Sequence, residues 1–284
     1  MSKTISAQEE GIPFAFSLMT PPVPRSLVVQ DDYTTLVGKW FFKSSQVGHE
    51  GYVSVRKVEE LRQCLKSLRV SYVVFNCLTI KPYLKGGVCS VLVLDFIRKF
   101  VQFRDELLLS EKKLPVLCER LSQLGNFLSK DFENARTLQA AFNTIEVLGL
   151  TGPVDYSKWK IEALVSYYGL SVGYASHAID MTCPFSFGAL KHALSLLSSG
   201  IFLIRILRPS KGRKLEKYGH SLLYIHYKHL NIFYDPNYGA RDLNGCNHAH
   251  VLFENFKQNL LRFQVSEARF YKIKIVHPPT RSDA

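Results

Sequence analysis

The chain has 284 residues, 46% hydrophobic, 21% charged and 12% aromatic, the composition of a globular protein with a sizeable core. Its 36 Lys and Arg outnumber 24 Asp and Glu, a formal net charge of +12 that favours an acidic partner or an anionic surface. The basic residues (Lys66, Arg69, Lys81, Lys85, Arg98 and Lys99 among them) are scattered between apolar ones without an aromatic-basic repeat, so nucleic acid is not an expected partner. Cys64, Cys77, Cys89, Cys118, Cys183 and Cys246 form no C-x-x-C pair, which argues against a zinc ribbon and a disulfide scaffold and for reduced thiols. No apolar run approaches the roughly 20 residues of a membrane span. The first residues also lack the basic-then-apolar layout of a secretory signal peptide.

In chain order, residues 1–30 are punctuated by Pro13, Pro21, Pro22 and Pro24 and read as a flexible leader, a candidate secretion signal ahead of a domain over 31–284. Residues 55–69 place Val58, Leu61, Leu65 and Leu68 at helical intervals, and residues 70–78 are rich in strand formers. A long helix is expected over 90–109. Val93, Phe96, Ile97, Phe100 and Leu107 share one side, with Asp95, Arg98, Lys99, Gln102 and Asp105 on a solvated face. Two further helices are expected within 114–148 and another over 156–168. Strands follow at 201–207, 221–227, 231–234 and 269–275. Helices first and strands afterwards is the α+β pattern.

Three local sequences carry chemistry. Gly86-Gly87-Val88-Cys89 precedes the long helix, and the glycines let the backbone turn tightly. They deliver Cys89 to a helix N-terminus, where free N–H groups favour the thiolate, the nucleophilic form. The Cys89 N–H is also an oxyanion-donor candidate. Gly219-His220 opens an apolar strand, and Tyr234-Asp235-Pro236-Asn237 ends the next one. A hairpin turning between Tyr227 and Lys228 sets His220 directly opposite Asp235, close enough for a carboxylate to orient an imidazole. Cys89, His220 and Asp235 are therefore the candidate catalytic residues.

Gly-Gly-Val-Cys before a helix, Gly-His at a strand start and Phe-Tyr-Asp-Pro-Asn-Tyr-Gly after it resemble the YopT/AvrPphB family of bacterial effector cysteine proteases. The resemblance covers residues 86–89 and 201–239. It implies a papain-like α+β fold, with the nucleophile on a helix packed against an antiparallel sheet that carries His and Asp. It further implies Cys89 as nucleophile, His220 as base and then acid, and Asp235 as orienting carboxylate, with no cofactor or metal. Family members are injected by bacterial secretion systems. The implied substrate is a host protein, with small GTPases and kinases as candidate classes, in the cytosol or at an anionic membrane of the host cell.

The chain departs from papain-like enzymes in lacking Gln or Asn shortly before the nucleophile. Asn76, the Tyr83 hydroxyl or another backbone N–H remain open as second oxyanion donor. Glutamine deamidation, transglutamination or another acyl transfer needs the same triad, and a papain-like binding protein without activity is the non-enzymatic alternative. Cys246-x-His248-x-His250 reads as a polar loop rather than a metal site. His177, Asp180 and Cys183 form a rival set without a glycine turn, and His226 and His229 are expected in solvent beside the hairpin turn.

Overall fold

The computed structural model describes residues 40–43, 51–67, 73–75, 83–84, 87–108, 114–130, 132–147, 153–175, 179–180, 188, 192, 197, 199–207, 219–227, 230–244 and 267–276. All of them lie in one compact unit, Leu36–Ala284. The expected leader, the Cys246–His250 segment, Asn76, His177, Cys183 and His229 lie outside the described residues.

The first half is mainly helical. Strands β1 (Trp40–Lys43) and β2 (Gly51–Tyr52) precede helix α1 (Val55–Ser67), and β3 (Val73–Phe75) and β4 (Tyr83–Leu84) follow it. Then come α2 (Cys89–Leu108), α3 (Leu114–Lys130), α4 (Phe132–Asn143), β5 (Ile145–Val147) and α5 (Pro153–Tyr167). Strands β6 (Leu170–Ala175), β7 (Ile179–Asp180), β8 (Gly200–Leu207), β9 (Gly219–Tyr227), β10 (Leu230–Asp235), β11 (Gly239–Asp242) and β12 (Glu267–Ile275) complete the order. The expected helices and the four expected strands are present within a few residues of their expected bounds.

The main sheet runs β1-β11-β10-β9-β8-β12-β6, with β7 beside β12, and every pairing in it is antiparallel. This is an α+β architecture. One face supplies Ile201, Leu203, Leu223, Ile225, Ile232, Tyr234, Tyr271 and Ile273 to the core built on α2. The alternate residues Phe202, Ile204, Leu222, Tyr224, Phe233 and Phe270 are buried as well. A sheet covered on both faces needs no polar alternation, which is why β8 reads as a nearly continuous apolar run.

Helix α2 is central. Residues 89–97 are buried without a break, so the first half of the helix has no solvated face. The expectation for Asp95 is corrected here: it is only 8% exposed. Its carboxylate accepts from Arg98 Nη2 at 3.2 Å and bonds the Tyr168 hydroxyl, while the Arg98 guanidinium lies 5.5 Å from the Tyr168 ring centroid. Pairing and hydrogen bonding are what make a charge at this depth tolerable. Burial first, and then the negative Asp95, push the Tyr168 hydroxyl pKa well above its ordinary value.

Phe96 of α2 stacks on Tyr234 of β10 with centroids 4.8 Å apart, and Phe42 of β1 closes the group at 5.8 Å from Tyr234. These rings lock α2 to the strand that ends in Asp235. After Asp235 the chain turns at once, with the Tyr238 N–H donating to the Asp235 carbonyl at 2.9 Å. It re-enters the sheet at Gly239, whose φ is 116°. A Cβ there would meet the Phe42 carbonyl and the Lys43 backbone, because β1 pairs with β11 at this point. Glycine is required on both counts. Gly239→Ala is accordingly expected to destabilise the protein by about 3 kcal/mol. Urea denaturation measures this, and an unchanged midpoint would contradict the account.

Candidate active site

Helix α2 begins at Cys89, with the Leu92 N–H closing the first turn onto the Val88 carbonyl at 3.0 Å. The N–H groups of the residues from Cys89 to Val91 have no acceptor within the helix and turn the positive end of its dipole toward the thiol. The three described cysteines, Cys64, Cys89 and Cys118, are free thiols, and of these Cys89 is the buried one.

His220 is the second residue of β9 and Asp235 the last of β10. The hairpin register differs from the expected one. Tyr227 pairs with Leu230 and Tyr234 with Leu223, so Asp235 falls opposite Leu222 rather than His220. A turn between Tyr227 and Lys228 leaves no loop residues, whereas two-residue loops are the commonest hairpin connection. The slip is by two positions, and side chains keep their face under an even shift. His220 and Asp235 thus become diagonal neighbours, within reach for long side chains. The contact is made: His220 Nε2 lies 2.8 Å from Asp235 Oδ1. His220 is 8% exposed and Asp235 1%.

The turn supplies a residue that the motif reading passed over. The Asn237 N–H donates to Asp235 Oδ1 at 2.8 Å, and the Asn237 side-chain amide lies 3.3 Å from His220 Nε2. Asn237 therefore holds the carboxylate from the turn and lies against the imidazole. The signal was in the sequence: an Asx-type turn, in which an Asp side chain bonds the N–H two residues on, is the ordinary behaviour of Asp-Pro-Asn. Arg241 on β11 is half-buried near Asp235. Burial lowers its pKa, while the negative Asp235 and Tyr238 oppose the change.

Cys89 meets the ring of His220 and the main chain of Ser221. Asp235 occupies Nε2, so Nδ1 is the nitrogen left for the thiol. Burial by itself raises the Cys89 pKa. The hydrogen bond and charge of His220 outweigh it, with help from the Arg205 guanidinium and a hydrogen bond from the Ser221 main chain, and bring the thiol down to about 7. Burial also works against the imidazolium. The Asp235 carboxylate, its hydrogen bond and the neighbouring Cys89 raise His220 to about 10. The favoured arrangement in between is thiolate and imidazolium, a pair that titrates as a unit.

The oxyanion candidates fare differently. The Cys89 main-chain N–H stands at the start of α2. Tyr83 has its backbone in β4, paired with Tyr52 of β2, and its hydroxyl is not among the described atoms. His226 is half-buried on β9, where its carbonyl accepts from Ser199 Oγ at 3.0 Å, rather than standing in solvent. Among the described residues no group of three or more His, Cys, Asp or Glu could hold a metal ion, and no helix is long and apolar enough to cross a membrane.

No family model matches the chain, and no curated protein matches it. Among solved structures, the chain is similar to the Pseudomonas avirulence protein AvrPphB. That match covers 66% of this chain and 92% of the other, at 13% identity and a TM-score of 0.38. It is also similar to PatoxP, a cysteine protease-like domain of the Photorhabdus asymbiotica toxin PaTox. This second match covers 77% of this chain and 58% of the other, at 12% identity and a TM-score of 0.32.

The titration has a definite sign. Below about 7 the Cys89 thiol holds its proton, and above about 10 His220 gives up its own, so the ion pair exists between the two. Alkylation of Cys89 by iodoacetamide, followed by mass spectrometry against pH, is expected to rise through a midpoint near 7. A midpoint at the ordinary thiol value of 9.0 would contradict the ion pair.

Proposed function

We propose that this chain is a cysteine peptidase in which Cys89 is the nucleophile, His220 the general base and acid, and Asp235 the carboxylate that orients His220. The observation that carries this reading is the buried, hydrogen-bonded series Cys89–His220–Asp235 at the first turn of α2. A thiol brought down to about 7 beside a retained proton is the form that attacks a carbonyl and then protonates a leaving group.

In the mechanism, the Cys89 thiolate adds to the scissile carbonyl and forms a C–S bond. The charge moves to the carbonyl oxygen, which the Cys89 N–H and the dipole of α2 are placed to stabilise. Collapse breaks the C–N bond, and the His220 proton passes to the departing amine. The neutral imidazole then takes a proton from water, whose hydroxide oxygen attacks the acyl-thioenzyme. Expulsion of the acid restores thiolate and imidazolium. Asp235 stays ionised throughout and holds the ring for both transfers.

The proposed substrate is a host protein and the proposed setting a secreted effector, supported by the motif resemblance. The net charge of +12 supports an encounter with acidic or membrane-bound targets. Wild type and Cys89→Ala incubated with candidate proteins are expected to differ, with new peptide termini only in the wild type. Asp235→Ala is expected to lower kcat roughly 100- to 10,000-fold, as loss of the orienting group does in triads. A Cys89-dependent mass gain of about one dalton, or a cross-linked adduct without new termini, would assign the site instead to deamidation or acyl transfer, which uses the same acyl-thioenzyme.

A further inference from the structure

Strand β8 is apolar except at Arg205, and Arg205 reaches the site just described. Directly opposite it on β9 stands Ser221. Its Nη1 donates to Ser90 Oγ at 3.4 Å, and Ser90 Oγ lies 2.9 Å from Ser221 Oγ. Both serines are buried, at 3% and 0% exposed. The other end of the guanidinium, Nη2, lies 3.3 Å from where a Cβ on Gly219 would stand. The cation therefore bridges Ser90, which follows Cys89, and Gly219, which precedes His220.

Arg205 makes no ion pair among the described residues, and its Nε is buried without a hydrogen-bond partner there. On the neighbouring strand β12, the Glu267 carboxylate is already paired with Arg269, the residue opposite Arg205. Arg205 is half-buried with its Nε out of water, and a cation so placed is favoured by a neighbouring anion. The neighbouring group that can become one is Cys89.

Building on the peptidase reading, we propose that Arg205 is a positioning residue whose guanidinium, held by Ser90, which is itself bonded to Ser221, serves as fixed counter-ion to the Cys89 thiolate. His220 supplies a mobile proton; Arg205 supplies a charge that never leaves. The thiolate of the resting pair, and the one expelled with the acid, thus meets a counter-charge that does not depend on the His220 proton. The electrostatics agree, since Arg205 is among the groups that lower the Cys89 pKa. Among the described residues, the other charged groups on the elements around the thiol are His220 with Asp235 behind it, Arg241 near Asp235 on β11, the Arg269–Glu267 pair on β12, and Asp95 with Arg98 farther along α2.

The test is a pH titration of thiolate absorbance and of Cys89 alkylation in the full chain, with Cys89→Ser as blank. In Arg205→Met the midpoint is expected to rise by about one pH unit, and alkylation one unit below the wild-type midpoint to slow about tenfold. Arg205→Lys keeps the charge and is expected to titrate close to wild type. An Arg205→Met curve that overlays wild type overturns the inference and leaves the peptidase reading intact. So does a Lys variant as impaired as the Met one. A wild-type thiol with an ordinary midpoint removes the peptidase reading itself. Should Arg205→Met fail to fold by circular dichroism, Ser90→Ala serves: releasing the guanidinium is expected to raise the midpoint by a smaller amount, and no change overturns the inference.

Discussion

The hydrogen bond between His220 and Asp235 spans 2.8 Å at a depth where neither group is much exposed to water. A carboxylate at such a depth is costly alone, and so is an imidazolium; together they are tolerable because each offsets the other's lost hydration. Everything around the pair serves to keep it. The β9–β10 register makes the two residues diagonal neighbours, and Asn237 bonds the carboxylate from the turn. Gly239 lets that turn close against β1. Tyr234, one residue before Asp235, is pinned by Phe96 of α2. The same contact that anchors the carboxylate strand thus anchors the helix that presents the thiol.

Around that pair, charge is arranged in layers. Cys89 faces an imidazolium on one side and lies within the field of a guanidinium on another, with the positive end of α2 beneath it. Burial works against the thiolate; the hydrogen bond and charge of His220, with Arg205 and the Ser221 main chain, overcome it. On the proposed peptidase reading, such a site gains nucleophilicity from groups that need not move during the reaction, so little reorganisation is left for the chemical step.

How much of this could be read from residues alone follows from physical range. Short-range signals were legible: the helix that starts at Cys89 and the strand runs around His220 and Asp235. The register was not, because it depends on how many residues the loop at 228–229 takes up; the face survived only because the error was even. Asp95 misled for another reason. Its position on the helical wheel suggested solvent, but the wheel does not reveal that the first half of α2 is covered on every side. Arg205 illustrates a signal present but unused. A lone cation inside Ile-Phe-Leu-Ile-Arg-Ile-Leu will be buried by its neighbours and must find a partner. Which partner depends on the β8–β9 pairing and on the approach of Ser90, both long-range. Asn237 lay in plain view, inside a turn whose bonding pattern is local.

The protonation state of His220 tests the central claim most directly. Nuclear magnetic resonance of the imidazole ring against pH, in wild type and in Cys89→Ala, reads it without any substrate. The account predicts an imidazolium that persists in wild type up to about 10 and gives up its proton at lower pH once the thiolate is removed. A ring that is neutral at pH 8 in the wild type, or one whose titration ignores the loss of Cys89, would contradict it.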